Sequence, residues 1–123
     1  MEVMMNDLEV RDRELDGALE TNAAVIRLFK ARNDQQGSDE LWKLLDAIWL
    51  LYAMTSEDVA GPDPYGIEIP RKQIPAMLER ALGQIISAQE SQSWLVLCDI
   101  LEYEITPILE SWKVIVTATR AGN

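Results

Sequence analysis

The chain has 123 residues, enough for one domain with its own core, and its 48% hydrophobic and 26% charged residues argue against a disordered chain. Twenty-one acids against 11 bases give a formal net charge of −10, which disfavours nucleic acid and anionic membrane as ligands, since both require clustered Lys and Arg. There is no histidine, and Cys98 is the lone cysteine, so the usual neutral-pH base, His-based metal sites and an intrachain disulfide are all missing.

The first predicted helix spans about Met4 to Arg32. Met5, Leu8, Leu15, Leu19, Ile26 and Phe29 recur at threes and fours; Asp12 and Asn22 interrupt the stripe, and Gly17 weakens its middle. Residues 1–20 hold seven acids (Glu2, Asp7, Glu9, Asp12, Glu14, Asp16 and Glu20) against Arg11 and Arg13, which reads as a solvated helix face or an interaction arm. No basic stretch followed by an apolar run opens the chain, so no signal peptide is expected, and the expected address is the cytoplasm. The segment from Asn33 to Gly37 reads as a turn, with Gly37 at positive φ.

The second helix is expected to start at Ser38 or Asp39. Leu41, Leu45, Ile48 and Tyr52 form its stripe, widened by Leu44 and Leu51, while Trp42 and Trp49 make a further row seven residues apart. From Ala47 to Met54 the helix has no polar face. Such a helix is either central to its fold or meets a partner, through a dimer contact or a groove for a partner helix. The run is far too short to span a bilayer. Trp42, Trp49, Tyr52 and Tyr65 are the candidate partner-binding residues, with Tyr65 able to close over the groove from the long connection that follows. That connection, Thr55 to Gln73, contains the turn sequence Gly61-Pro62-Asp63-Pro64-Tyr65-Gly66, and Ile67 to Ile69 alternates as an extended segment would.

The third helix is expected from about Ile74 to Glu90, with Pro75 in its first turn. The fourth starts near Ser91 or Ser93. Trp94, Leu101, Ile108 and Ile115 repeat every seven residues, with Cys98, Ile105 and Trp112 between them, as in a bundle seam. Pro107 cannot donate to the carbonyl of Tyr103, so a kink or local opening is expected there. Together the four segments predict an all-α antiparallel four-helix bundle with one long loop between the second and third helices, as a single domain over 1–123.

The fourth helix also carries three acids within six residues, ahead of Pro107. Asp99 and Glu102 share a face one turn apart and, with Glu104, form a candidate oxygen-ligand set for Mg²⁺ or Mn²⁺; the alternative is a solvated acidic face. The pattern D-x-L-E-Y-E-x-x-P-x-L-E-x-W, carried by Asp99, Leu101, Glu102, Tyr103, Glu104, Pro107, Leu109, Glu110 and Trp112, resembles small uncharacterised all-helical proteins of Gram-positive bacteria. The resemblance covers about the last quarter of the chain. It implies an all-helical fold, a bacterial origin and an association with flagellar or secretion-related bundles. An all-helical pyrophosphohydrolase similar to the MazG group would need E-x-x-E on one helix and E-x-x-D on the next. Glu9-Val-Arg-Asp12 has the second spacing on the wrong helix, Asp99-Ile-Leu-Glu102 has it with the identities reversed, and E-x-x-E is missing from the expected place.

No phosphate-binding glycine loop is present, no cofactor is expected, and Cys98 falls on the seam as a core residue. The expectation is a non-enzymatic protein-interaction module, adaptor-like or resembling an export chaperone, that binds a protein partner or itself. The alternatives are an acidic inhibitor or nucleic-acid mimic and a Mg²⁺-dependent pyrophosphohydrolase.

Overall fold

The computed structural model describes residues 2–54, 58 and 61–122, with side chains from residue 8 to residue 121 within those ranges. Met5 of the predicted stripe lies outside the described side chains. The chain forms an all-α four-helix bundle. Helix α1 covers Glu2–Lys30 and α2 covers Asp34–Tyr52; a short 3₁₀ turn, Arg71–Gln73, leads into α3, Ile74–Glu90. The fourth helix, α4, runs over 94–122 in three pieces: an α-helical Trp94–Ile100, a π-helical Leu101–Ile105 and an α-helical Thr106–Gly122. No strand occurs among the described residues, so the alternation at Ile67 to Ile69 does not become one. None of the described helices is long and apolar enough to cross a membrane.

The buried line on α1 is Arg11, Leu15, Ala18, Asn22, Val25 and Phe29. Its 4-3-4-3-4 spacing is that of a bundle seam, and two of its members are polar. Leu8, Leu19 and Ile26, expected as core, flank it half-buried. Asn22 is therefore part of the seam. Its Nδ2 donates to the Leu101 carbonyl at 3.3 Å and to Thr106 Oγ1 at 2.8 Å. Thr106 Oγ1 in turn donates to the Leu101 carbonyl at 2.9 Å, and so does the Thr106 backbone N–H, five residues on. The opening expected before Pro107 is thus a π-turn, fastened to α1 by one amide.

Asp12, the other apparent break, faces α4. It accepts from Lys113 and Arg120, while Lys113 also reaches Asp16 at 2.8 Å. The hydrogen bond from Lys113 holds the Asp12 carboxyl below its ordinary 3.8, with the charges of Lys113 and Arg120 adding to it against a smaller effect of burial. Burial by itself would lower Lys113, but its bonds to Asp12 and Asp16 outweigh that effect and its net shift is upward. At the opposite end Lys30 meets Glu102 at 3.1 Å, so α1 and α4 run antiparallel.

Two expectations about the first turn are corrected. α2 begins at Asp34, four to five residues earlier than expected, and Gly37 lies inside it. The positive φ falls on Arg32, at 64°, beyond the end of α1. Gly37 is buried because α1 and α2 approach closely there: a Cβ at this position would sit 3.0 Å from Phe29 Cε1. Phe29 stacks on Trp94 with ring centroids 5.1 Å apart, closing that end of the bundle.

The described part of the long connection is tied to the bundle by polar contacts. Asp58 is buried; its Oδ2 lies 2.7 Å from Arg11 Nε and accepts from Trp112 Nε1 at 2.7 Å. Arg71 Nη1 donates to the Asp58 carbonyl at 3.1 Å. The Arg71 N–H donates to Asp63 Oδ1 at 2.8 Å, and the Ile69 N–H to Ser111 Oγ at 3.1 Å. Each backbone group bonded in this way is spared the penalty of an unsatisfied buried amide.

Candidate functional site

Helix α2 has more apolar residues than one face can hide. Leu41, Leu44, Leu45, Ile48 and Leu51 fill the core stripe. Trp42 and Trp49 each follow a buried residue by one position, so they are rotated about 100° out of that stripe. They remain 58% and 50% exposed. On α3 the doublet Ile85-Ile86 meets the same limit, with Ile85 buried and Ile86 45% exposed.

Between these exposed side chains lies a groove of about 550 Å³, lined by Trp42, Leu45, Asp46 and Trp49 of α2 and by Leu82, Ile86, Gln89 and Glu90 of α3. Its aromatic wall is braced: Trp49 meets Tyr52 edge-to-face at 5.8 Å, and Tyr52 donates to Glu79 Oε2 at 2.9 Å. That bond raises the Tyr52 phenol above its ordinary 10.0, since ionisation would face the Glu79 charge. Leu50, also half-exposed, lies one turn beyond Asp46 on α2 and is not among the lining residues.

Of the four candidate partner-binding residues, Trp42 and Trp49 line the groove and Tyr52 braces it. Tyr65 is fully exposed and is not among the lining residues, so it does not close over the groove. Ile86 was missing from the candidates. Its signal was available in the adjacent pair Ile85-Ile86, since neighbours on a helix point about 100° apart.

The acidic candidates do not converge. Asp99 is exposed, and Glu102 turns to Lys30 on α1. Glu104 faces α3, where Gln84, with its amide oriented to donate, reaches both carboxylate oxygens at 3.0 and 3.1 Å. Among the described residues no group of three or more His, Cys, Asp or Glu could hold a metal ion. Glu9 and Asp12, which have the E-x-x-D spacing, both face Arg120. Cys98 is buried, and burial pushes its thiol up, away from the reactive thiolate. A larger groove of about 780 Å³ lies between α3 and α4; its α3 side is Gly83, Ser87 and Ala88 with Arg80 and Gln84, its α4 side carries Val96, Ile100 and Tyr103 beside Asp99 and Glu104, and Gln84 bonds to Glu104 across it.

The fold and the groove define an all-α four-helix bundle with a surface-open apolar channel on its α2–α3 side. The chain belongs to the family described as a domain of unknown function, DUF8042, whose profile matches residues 15–115. No curated protein and no solved structure matches it.

Proposed function

We propose that this protein is a non-enzymatic protein-interaction module that receives a helix of its partner in the α2–α3 groove. One observation carries the reading: Trp42, Trp49 and Ile86 stay about half exposed around one channel. A cluster of large half-exposed apolar groups with a polar rim is the signature of an interaction surface. Trp42 and Trp49 are two turns apart, about 10 Å along the helix axis. That spacing suits the anchors of a partner helix lying parallel to the channel.

The test is photo-crosslinking in living cells of the source organism. A photoreactive residue replaces Trp49 in one variant and the exposed Glu110 of α4 in another. The expected result is a discrete adduct at position 49, missing at 110, whose crosslinked partner peptide has helical apolar spacing. No adduct at 49, or the same set of adducts at both positions, overturns the reading.

A further inference from the structure

We infer that the helix received by the α2–α3 groove is cationic, with basic residues flanking its apolar face; this rests on the interaction reading above and names the partner's chemistry. Asp46 and Glu90 both line the channel, and neither has a hydrogen bond or ion pair among the described residues. Glu90 is also the last residue of α3, where the helix carbonyls already leave negative potential. Lys43, the nearest base on α2, is occupied by Glu40 at 2.8 Å. The channel therefore joins two half-exposed indole faces to uncompensated negative charge. Indole faces accept Lys and Arg directly, and the carboxylates reward the same cations.

A second copy of this chain meets the opposite electrostatics. Two-fold pairing across the channel would set its acids, Asp46 and Glu90, against a second channel carrying the same two acids, between bodies that each carry −10. The net charge likewise steers cationic segments toward the protein and anionic ones away.

The experiment titrates the full-length protein by calorimetry with two amphipathic peptides of about 20 residues, long enough to hold a helix. They share one row of Leu anchors and differ only in Lys or Glu on the flanks. The expected result is binding of the Lys peptide about ten-fold or more tighter than the Glu peptide, as two flanking ion pairs imply, with the advantage shrinking as salt rises. In the variant Asp46→Lys/Glu90→Lys the preference reverses, and Trp42→Ser/Trp49→Ser loses both peptides. Equal affinities would overturn the cationic assignment and leave the groove reading intact. Lys-peptide binding that survives the tryptophan substitutions would place the cation elsewhere and overturn both. Failure of both peptides overturns the cationic helix alone, because the crosslinking result judges the groove separately. Self-association lost in the tryptophan variant would make the occupant a second copy and overturn the inference.

Discussion

Replacing Asp58 by Ala tests what holds the long connection to the bundle. The Asp58 carboxylate is buried between the Arg11 guanidinium and the Trp112 indole N–H, each at 2.7 Å. Removing it takes from Arg11, also buried, the carboxylate at 2.7 Å and leaves Trp112 with a buried donor lacking this acceptor. Breaking one side of a buried pair costs about 3–5 kcal/mol, which already contains most of the roughly 1–3 kcal/mol for an orphaned donor. Asp58→Ala is therefore expected to lose about 4 kcal/mol in urea unfolding followed by circular dichroism. That is a large part of the roughly 5–15 kcal/mol a domain possesses, and it corresponds to a fall in melting temperature of about 10–20 °C. Asp58→Asn keeps an acceptor for the indole and should recover about 1 kcal/mol of the loss. A double-mutant cycle with Arg11→Ala isolates the pair, and its coupling should exceed about 2 kcal/mol. Coupling near the roughly 0.5 kcal/mol of exposed pairs would refute the argument, because it would mean water reaches the carboxylate.

Other substitutions probe the rest of the bundle. Trp112→Ala, in the fully buried seam, should cost about 3–5 kcal/mol, whereas the half-exposed Trp49→Ala should cost about 1–2 kcal/mol; comparable losses would mean Trp49 belongs to the core. Gly37→Ala drives a methyl to within 3.0 Å of Phe29 and should destabilise by about 1 kcal/mol despite the better helix propensity of Ala. Gly17→Ala meets nothing within 4 Å and should stabilise by about 1 kcal/mol, so calorimetric shifts of the same sign for both glycines would contradict the packing. Asp12→Asn should lower the melting temperature at neutral pH. Because the folded pKa of Asp12 lies below 3.8, its contribution is present above that value and is lost as pH falls through the folded pKa. The melting temperatures of the two proteins should converge in acid, and a gap that persists at the lowest pH would assign the effect to packing.

Hydropathy spacing located α3 and the α4 seam, because both faces are filled by apolar groups whose partners need not be known. On α1 it placed Leu15 and Phe29 in the buried line but chose Leu19 and Ile26 where the neighbouring Ala18 and Val25 are buried. Arg11 and Asn22 occupy seam positions, and a polar residue there reads as a break until its partners are seen: Asp58 comes from the loop, and Leu101 and Thr106 from a helix about 80 residues away. Pro107 foretold the π-turn, since a missing N–H is a local property; the amide that fastens that turn to α1 is not local. Gly37 was misread for a related reason. Glycine serves both positive φ and close approach, and only the position of Phe29 decides between them. At the groove, the excess of apolar residues on α2 was plain, but its second wall required knowing that α3 lies beside α2.

The distribution of polar links explains why the open channel falls where it does. The α1–α4 seam is fastened along its length by Asp12 and Asp16 with Lys113, by Asn22 with Thr106 and by Lys30 with Glu102. Directional contacts of this kind fix the spacing and register of two helices. Between α2 and α3 the only such link among the described residues is Tyr52 with Glu79, at one end. The rest of that junction is held by side-chain packing, and its outer row is Trp42, Trp49 and Ile86. A junction with one fixed end and an apolar outer row can take in a further helix without breaking a hydrogen bond. The same insertion at the α1–α4 seam would have to break several charge-assisted ones.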